Sequence, residues 1–168
     1  MMAELDMSDR TRVSVDAMRT LMERLFIRVG VPAEDAATAV EVLVFSDVHG
    51  IDSHGIPRMR MYLNAIAAGR VNLHPKITVV MEGPATLTLD GDQGLGLVVA
   101  PFAMRRAIEK AKETGWCTVS VRASNHLGTR AYSKSKKEDS SGRIGVSEPL
   151  SVRRNPCPRS YHPSPPSW

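Results

Sequence analysis

Apolar residues recur at three- and four-residue steps through the first third of the chain, which is the spacing of amphipathic helices. The pattern predicts helices over about 15–29, 32–49 and 57–68, the first with Ser14 as its N-cap. A compact three-helix unit is the expected result. The predicted apolar stripe of the first helix consists of Val15, Met18, Leu21, Met22, Leu25 and Val29.

The spacing of apolar residues changes after the third predicted helix. Two β-rich runs, 76–81 and 85–89, are separated by Glu82-Gly83-Pro84, a sequence that favours a turn. A glycine-rich link over 90–96 leads into a predicted helix over 97–114, and a further strand is expected over 116–121. Strand, helix and strand in this order indicate the beginning of an α/β domain, so the predicted fold class is α/β.

The last forty residues have a different composition. Nine serines fall between Ser133 and Ser167, and six of the eleven prolines follow Glu148. Such a segment buries too little apolar surface to offset its ordering entropy, so we expect a disordered Ser/Pro/Arg-rich tail over 129–168.

Charge and cysteine usage narrow the class of protein. The formal charge of +4 belongs to the tail, because residues 130–168 hold eight Lys/Arg and three Asp/Glu and the rest is nearly neutral. A nucleic-acid footprint normally lies on the folded part, so no nucleic-acid partner is expected. Two unpaired cysteines, the absence of an apolar leader and the absence of a membrane-length apolar run predict a soluble cytoplasmic protein without a membrane partner.

The densest cluster of reactive side chains lies in the loop between the second and third helices. His54 follows Ser53 and is flanked by glycine, a setting in which an imidazole can exchange protons near neutral pH. Arg58 and Tyr62 are four residues apart, so both are expected on one helix face, where they could bind a carboxylate. A hydrogen-bonded structural His54 is one alternative. A metal site is another, with the ligands Asp47, His49, Asp52 and His54.

A second candidate site follows the last predicted strand. Ser124, Asn125 and His126 precede Gly128 at a carboxyl-terminal strand end, where α/β proteins place their ligands. Contacts to a cofactor or substrate are expected there, and a polar turn is the alternative. The glycine-rich link has the order G-x-x-G-x-G rather than the Rossmann G-x-G-x-x-G, so we interpret it as a tight connection.

Taken together, Asp52-Ser53-His54-Gly55-Ile56-Pro57-Arg58 with Tyr62, Asp90-Gly91-Asp92 before Gly94-Leu95-Gly96, and Ser124-Asn125-His126 resemble the malate/L-lactate dehydrogenase family over residues 10–128. The resemblance implies a non-Rossmann α/β dinucleotide-binding domain that uses NAD or NADP. It also implies a homodimer that transfers hydride to or from small 2-hydroxy or 2-oxo acids.

The resemblance also implies roles for individual residues. Ser53 and His54 match a pair proposed for proton transfer, and Arg58 and Tyr62 match positions near the substrate carboxylate. His126 matches a histidine that either accepts the proton or lies at the nicotinamide. Both histidines therefore remain candidates for the acid/base role. Cofactor contacts are expected at Ser124, Asn125, His126 and Gly128, and no metal is expected.

The expected organisation has three segments. Residues 1–72 form the helical unit with its Ser-His-Gly loop, 73–128 form a partial α/β dehydrogenase domain, and 129–168 form the tail. The abrupt change of composition predicts a shifted reading frame near codon 128, hence a truncated and impaired enzyme; a genuine disordered tail is the alternative. Two other hypotheses stay open, a second polypeptide that completes the enzyme and a non-enzymatic module whose basic tail binds an acidic partner.

Overall fold

A computed structural model describes residues 13–132. Helix α1 (Val15–Arg28) and helix α2 (Ala33–Val48) precede two 3-10 turns (Asp52–His54 and Ile56–Arg58) and helix α3 (Met59–Ala67). Strands β1 (Thr78–Gly83) and β2 (Thr86–Gly94), helix α4 (Gly96–Thr114) and strand β3 (Thr118–Ser124) complete the order. The predicted α/β class and its three-helix start are thus confirmed. Within these residues no helix is both long and apolar enough to cross a membrane.

Local signals explain the helix ends. Ser14 is the N-cap of α1, and its hydroxyl accepts a hydrogen bond from the Ala17 N–H at 3.2 Å, as predicted. The predicted stripe of α1 is wrong in part, because Val15, Leu21 and Val29 are exposed and the buried residues of α1 are Met22 and Phe26. The third helix starts later than predicted, because a 3-10 turn containing Pro57 precedes it.

The three strands form one sheet in the order β1-β2-β3. Strands β1 and β2 are antiparallel, whereas β2 and β3 are parallel and joined through α4, which makes a β-α-β unit. The hairpin turn lies at Pro84-Ala85, one residue later than predicted. Most of the predicted glycine-rich link is strand, since β2 continues to Gly94 with a register shift between Asp90 and Gly94. Asp92 and Gln93 adopt φ of +48° and +56° there, so the backbone turns within the strand rather than after it.

One cluster of buried side chains joins the helical unit to the β-α-β unit. It includes Met22 and Phe26 of α1, Leu43 of α2, Tyr62 of α3 and Leu97 of α4. A smaller cluster lies between α4 and the sheet, around Leu87, Met104 and Cys117. The two predicted domains are therefore in direct contact; their division at residue 72 stays a prediction.

Residues after Gly128 also belong to the folded part. Thr129 and Tyr132 are 7% and 4% exposed, residues 130–132 are helical, and Tyr132 packs in the main core. The predicted tail boundary at residue 129 is thus too early by at least four residues. The remaining prediction of a disordered, frame-shifted tail concerns residues 133–168 and lies outside the described residues.

Candidate active site

The loop that carries His54 is attached to the end of α2 through Asp47. Both carboxylate oxygens of Asp47 accept the Ile56 N–H, at 2.9 and 3.2 Å. A Cβ at Gly55 would overlap the Asp47 carboxylate, so glycine at this position allows the carboxylate to reach the Ile56 N–H. Burial raises the pKa of Asp47, an effect opposed by the hydrogen bond from Ile56 and reinforced by the charge of Asp52. The hydrogen bonds between Asp47 and Ile56 therefore hold the loop that carries His54 against the end of α2.

Short polar contacts then orient the catalytic candidates of this loop. The Ser53 hydroxyl lies 2.9 Å from Nδ1 of His54. Nε of Arg58 donates to the Ser53 carbonyl at 2.6 Å, and an Nη1 contacts the sulfur of Met61 at 3.7 Å. The remaining guanidinium nitrogen of Arg58, Nη2, has no hydrogen-bond partner among the described residues. It remains available to an anion.

The second candidate segment begins where β3 ends. Ala123 adopts φ of +50°, which is uncommon for a residue with a side chain and marks a sharp change of direction before Ser124. The Asn125 side-chain amide donates to the carbonyls of Gln93 and Gly94 at 3.0 and 3.1 Å. Asn125 therefore holds the end of β3 against the bent end of β2.

Nδ1 of His126 has two hydrogen-bond partners in the protein. The Tyr62 hydroxyl lies 2.8 Å and the Gly128 backbone nitrogen 3.2 Å from its Nδ1. Tyr62 is only 2% exposed, and burial raises its pKa to about 12 against the opposing effect of Arg58. Desolvation by the surrounding protein lowers the pKa of His126, and the charges of Arg58 and His54 lower it further. At neutral pH both side chains are uncharged.

The two histidines meet across one cleft. Their rings are roughly parallel, with centroids 5.6 Å apart and an interplanar angle of 26°. The cleft has a volume of about 690 Å³, within the range of small-molecule sites. Its walls are the loop after α2 and the segment after β3, namely Ile51, Ser53, His54, Asn125, His126, Leu127, Gly128, Thr129, Arg130 and Ala131.

A sequence profile described as "Malate/L-lactate dehydrogenase" matches residues 13–146 of the chain. The chain belongs to the malate/L-lactate dehydrogenase family. The match continues past Gly128, so the predicted C-terminal limit of the resemblance was too early. Malate dehydrogenase from Pyrococcus horikoshii is 43% identical over 136 residues, which cover 81% of this chain and 38% of that protein. Ureidoglycolate dehydrogenase (NAD(+)) from Escherichia coli O157:H7 is 32% identical over 136 residues, which cover 81% and 39%.

Solved structures of this family have the same fold over the shared part. The structure of malate dehydrogenase from Pyrococcus horikoshii OT3 matches with a TM-score of 0.75 and 43% identity, covering 77% of this chain and 37% of that one. Sulfolactate dehydrogenase from Methanocaldococcus jannaschii matches with a TM-score of 0.73 and 38% identity, covering 76% and 37%. The chain thus spans somewhat more than a third of the length of these malate/L-lactate dehydrogenase relatives.

The structure brings most of the predicted site residues together. Ser53, His54 and His126 line the cleft, and Tyr62 contacts His126 from the core. The Tyr62 hydroxyl already has His126 as a hydrogen-bond partner, so its predicted contact with a carboxylate stays a prediction that this bond does not favour. Arg58 does not line the cleft itself, although its charge acts on both Tyr62 and His126.

The predicted cofactor residues fall into two groups. His126 and Asn125 line the cleft, whereas Ser124 is exposed and its hydroxyl contacts only the Asn125 carbonyl, at 3.5 Å, among the described residues. Gly128 lines the cleft but is buried, with φ of +81°, and a Cβ there would lie 2.8 Å from side-chain atoms of Leu97 and Val42. Packing by itself therefore explains this glycine. The cofactor roles of all four residues stay predictions.

Two features of the site escaped sequence analysis. Sequence analysis offers Asp47 only as a metal ligand, and no local signal indicates its bond to the Ile56 N–H, nine positions further along the chain. Thr129, Arg130 and Ala131 line the cleft but were assigned to the tail. The alternative metal site is not supported, because residues 13–132 contain no group of three suitable ligands. His49 instead stacks on Phe45, with its Nδ1 2.8 Å from the Phe45 carbonyl.

Proposed function

We propose that this chain supplies the acid/base and carboxylate-binding part of an active site that interconverts small 2-hydroxy acids and 2-oxo acids with NAD or NADP. The observation that carries the proposal is the pair of imidazoles facing one cleft beside the Arg58 guanidinium. Membership of a family of dehydrogenases supports the class of reaction. Because the chain spans only part of the length of its relatives, we propose this dehydrogenase activity for a complete enzyme that contains the chain and not for the chain alone.

The chemistry of hydroxy-acid oxidation requires the groups that lie here. The hydroxyl proton must leave while the same carbon gives up a hydride, and an imidazole can accept that proton. Arg58 is not one of the cleft-lining residues, but its charge reaches His126, and we propose that its Nη2 binds the substrate carboxylate at the edge of the cleft. Ser53 orients His54 through the contact between its hydroxyl and Nδ1.

The residues of the cleft fit the reactive end of a nicotinamide cofactor. The cleft has room for a planar ring beside a small acid, and its walls combine imidazoles with the apolar side chain of Leu127. Ser124, Asn125, His126 and Gly128 are the residues that we propose to hold the cofactor. When bound, the nicotinamide accepts or returns the hydride. The choice between NAD and NADP stays open, while a homodimer and a cytoplasmic location stay predictions.

The substrate is proposed by class. The relatives are named for malate, sulfolactate and ureidoglycolate, which differ beyond the reacting carbon. The Arg58 guanidinium beside the histidine pair suits the feature that such acids share, a carboxylate next to the reacting carbon. We therefore propose a small 2-hydroxy or 2-oxo acid of the malate or lactate type.

A chimera tests the proposal in a complete enzyme. Residues 13–128 would replace the aligned segment of the Pyrococcus horikoshii malate dehydrogenase, and oxidation of L-malate and L-lactate would be followed with NAD and NADP. His54→Gln should lower kcat by about 100-fold or more, the usual size of an acid/base contribution. His49→Gln is the matched control, because its ring stacks on Phe45 outside the cleft, and it should leave kcat within about twofold. A folded chimera without turnover, or one in which His54→Gln is as active as the control, would contradict the proposal.

A further inference from the structure

We infer that Tyr62 and the Gly128 N–H hold His126 in the tautomer with its proton on Nε2, so that His126 serves as a neutral hydrogen-bond donor to the substrate oxygen. Tyr62 is then a positioning residue that acts through His126. The role toward the substrate rests on the proposed function, whereas the tautomer is a property of the chain alone.

The direction of one hydrogen bond settles the position of the proton. A backbone N–H can only donate, and the Gly128 nitrogen lies 3.2 Å from Nδ1 of His126. Nδ1 therefore carries no hydrogen. The Tyr62 hydroxyl, 2.8 Å from the same atom, must then donate as well. A neutral imidazole has one N–H, which leaves it on Nε2, an atom without a hydrogen-bond partner among the described residues.

Both donors are fixed by the core, so the arrangement resists change. Tyr62 is 2% exposed and belongs to the main core cluster. Gly128 is buried between Leu97 of α4 and Val42 of α2, which leaves no room for a larger residue. A flip of the imidazole would present a C–H to both donors and leave a buried hydroxyl and a buried amide unsatisfied. The fold therefore selects one orientation of the ring.

This tautomer assigns different roles to His54 and His126. The basic atom of His126, Nδ1, already accepts two hydrogen bonds, and the atom left for the substrate is an N–H donor. The hydroxyl proton must then move to His54, whose Nδ1 contacts a Ser53 hydroxyl that can accept a hydrogen bond and leave Nε2 unprotonated. For a bound hydroxy acid, Nε2 of His54 would accept the O–H proton, while the nicotinamide, when bound, would supply the site that takes up the hydride as the C=O bond forms. The Nε2–H of His126 stabilises the developing negative charge on that oxygen.

Nuclear magnetic resonance of the full 168-residue chain tests the tautomer directly. Long-range proton–nitrogen spectra of the histidine-labelled chain distinguish the Nε2–H form, the Nδ1–H form and the imidazolium, and His126→Gln identifies the signals of His126. At pH 7 we expect His126 to give the Nε2–H pattern alone. An Nδ1–H pattern or an imidazolium pattern at that pH would overturn the inference.

A pair of tyrosine variants tests the role of Tyr62. Tyr62→Phe removes one of the two donors to Nδ1, so the titration midpoint of His126 should rise and a second tautomer should become populated. Tyr132→Phe is the control, because it also removes a buried phenol hydroxyl but its ring packs against Phe45. It should leave the His126 signals unchanged. Equal spectra for the two variants would remove Tyr62 from the positioning role.

Titration of the same samples with L-malate and L-lactate separates this inference from the proposed function. If the acids shift the signals of His54 and His126 while His126 is the Nδ1–H tautomer, the tautomer inference fails and the proposed function stands. If His126 is the Nε2–H tautomer and neither acid binds, the proposed function loses its support, and with it the inferred donor role toward a substrate.

Discussion

Replacement of Asp47 by alanine should loosen the loop that carries His54 without removing any group that faces the cleft. The Asp47 carboxylate lies in the last turn of α2 and accepts the Ile56 N–H with both oxygens. Alanine leaves that amide without a partner. Since Ile56 is half-buried, water can reach the amide only if the loop moves.

The expected loss of stability in Asp47→Ala can be estimated from the hydrogen bond between the Asp47 carboxylate and the Ile56 N–H. A hydrogen bond to a charged group contributes about 1.5–3 kcal/mol when it is well buried. Two effects reduce the figure: burial raises the pKa of Asp47, and a carboxylate near a helix C-terminus is itself unfavourable by about 0.3–1 kcal/mol. We therefore expect Asp47→Ala to lower the free energy of unfolding by about 1–2 kcal/mol. For a folded unit of this size the melting temperature should fall by about 4–8 °C.

Thermal and urea unfolding, followed by circular dichroism at micromolar concentration, measure this loss. Asp47→Asn keeps one acceptor oxygen and should lose less than the alanine variant. Asp52→Ala is the matched control, because it removes the same charge from the loop that Asp47 anchors, and the Asp52 side chain makes no hydrogen bond or ion pair among the described residues. It should change stability by no more than about 0.5 kcal/mol. Equal losses for Asp47→Ala and Asp52→Ala would refute the anchoring role.

Three further predictions concern the core, the sheet edge and pH. Phe26→Ala should cost about 3–5 kcal/mol in urea unfolding because Phe26 is fully buried, whereas Leu21→Ala on the exposed side of α1 should cost less than 1 kcal/mol. Val80→Lys should reduce aggregation in light scattering relative to Thr78→Lys, because β1 is an edge strand whose Val80 is 44% exposed. Stability should decline as the pH falls below about 6.5, because the lowered pKa of His126 lets the unfolded chain bind that proton first; His126→Gln should flatten this decline in urea titrations.

The helices were predictable because each carries its own boundary signals. A serine N-cap, a proline start and a glycine stop act within one or two turns, and the structure places α1, α2 and α4 within about two residues of the prediction. The inward face of α1 was less predictable. Apolar residues lie on several of its sides, and which side is buried depends on α2, with which α1 packs.

Strand β2 shows why the glycine-rich stretch was misjudged. Glycines and acids disfavour strands locally, yet Asp90 and Gly94 pair with Arg122 and Ser124 of β3. The Asp92 carboxylate accepts hydrogen bonds from Asn72 and from the Lys76 N–H, at 2.9 and 3.0 Å. These partners lie 20 and 16 residues away, beyond the reach of a local pattern. Tertiary contacts here override propensity.

The candidate site was predictable in its members but not in their partners. Residue types in the loop and after β3 identified His54 and His126 as candidates, because each stands in a polar segment after an apolar element. The bond between Tyr62 and His126 spans 64 positions and depends on how α3 lies against the end of β3. No local pattern indicates that the Asn125 amide binds backbone carbonyls of β2, which lie more than 30 positions earlier in the chain. Side-chain direction at the site is a property of the packed fold.

The distance between the two histidines is itself set by the core. His54 belongs to the helical unit and His126 to the β-α-β unit, and Gly128 fits between Val42 of one unit and Leu97 of the other. An added side chain at residue 128 would have to displace methyl groups of Val42 and Leu97 and would strain a backbone with φ of +81°, so the N–H of residue 128 should shift relative to Nδ1 of His126. The relative position of the two histidines therefore depends on packing within residues 13–132. By the same reasoning, a larger residue at 128 should impair the site even if every polar group in it is kept.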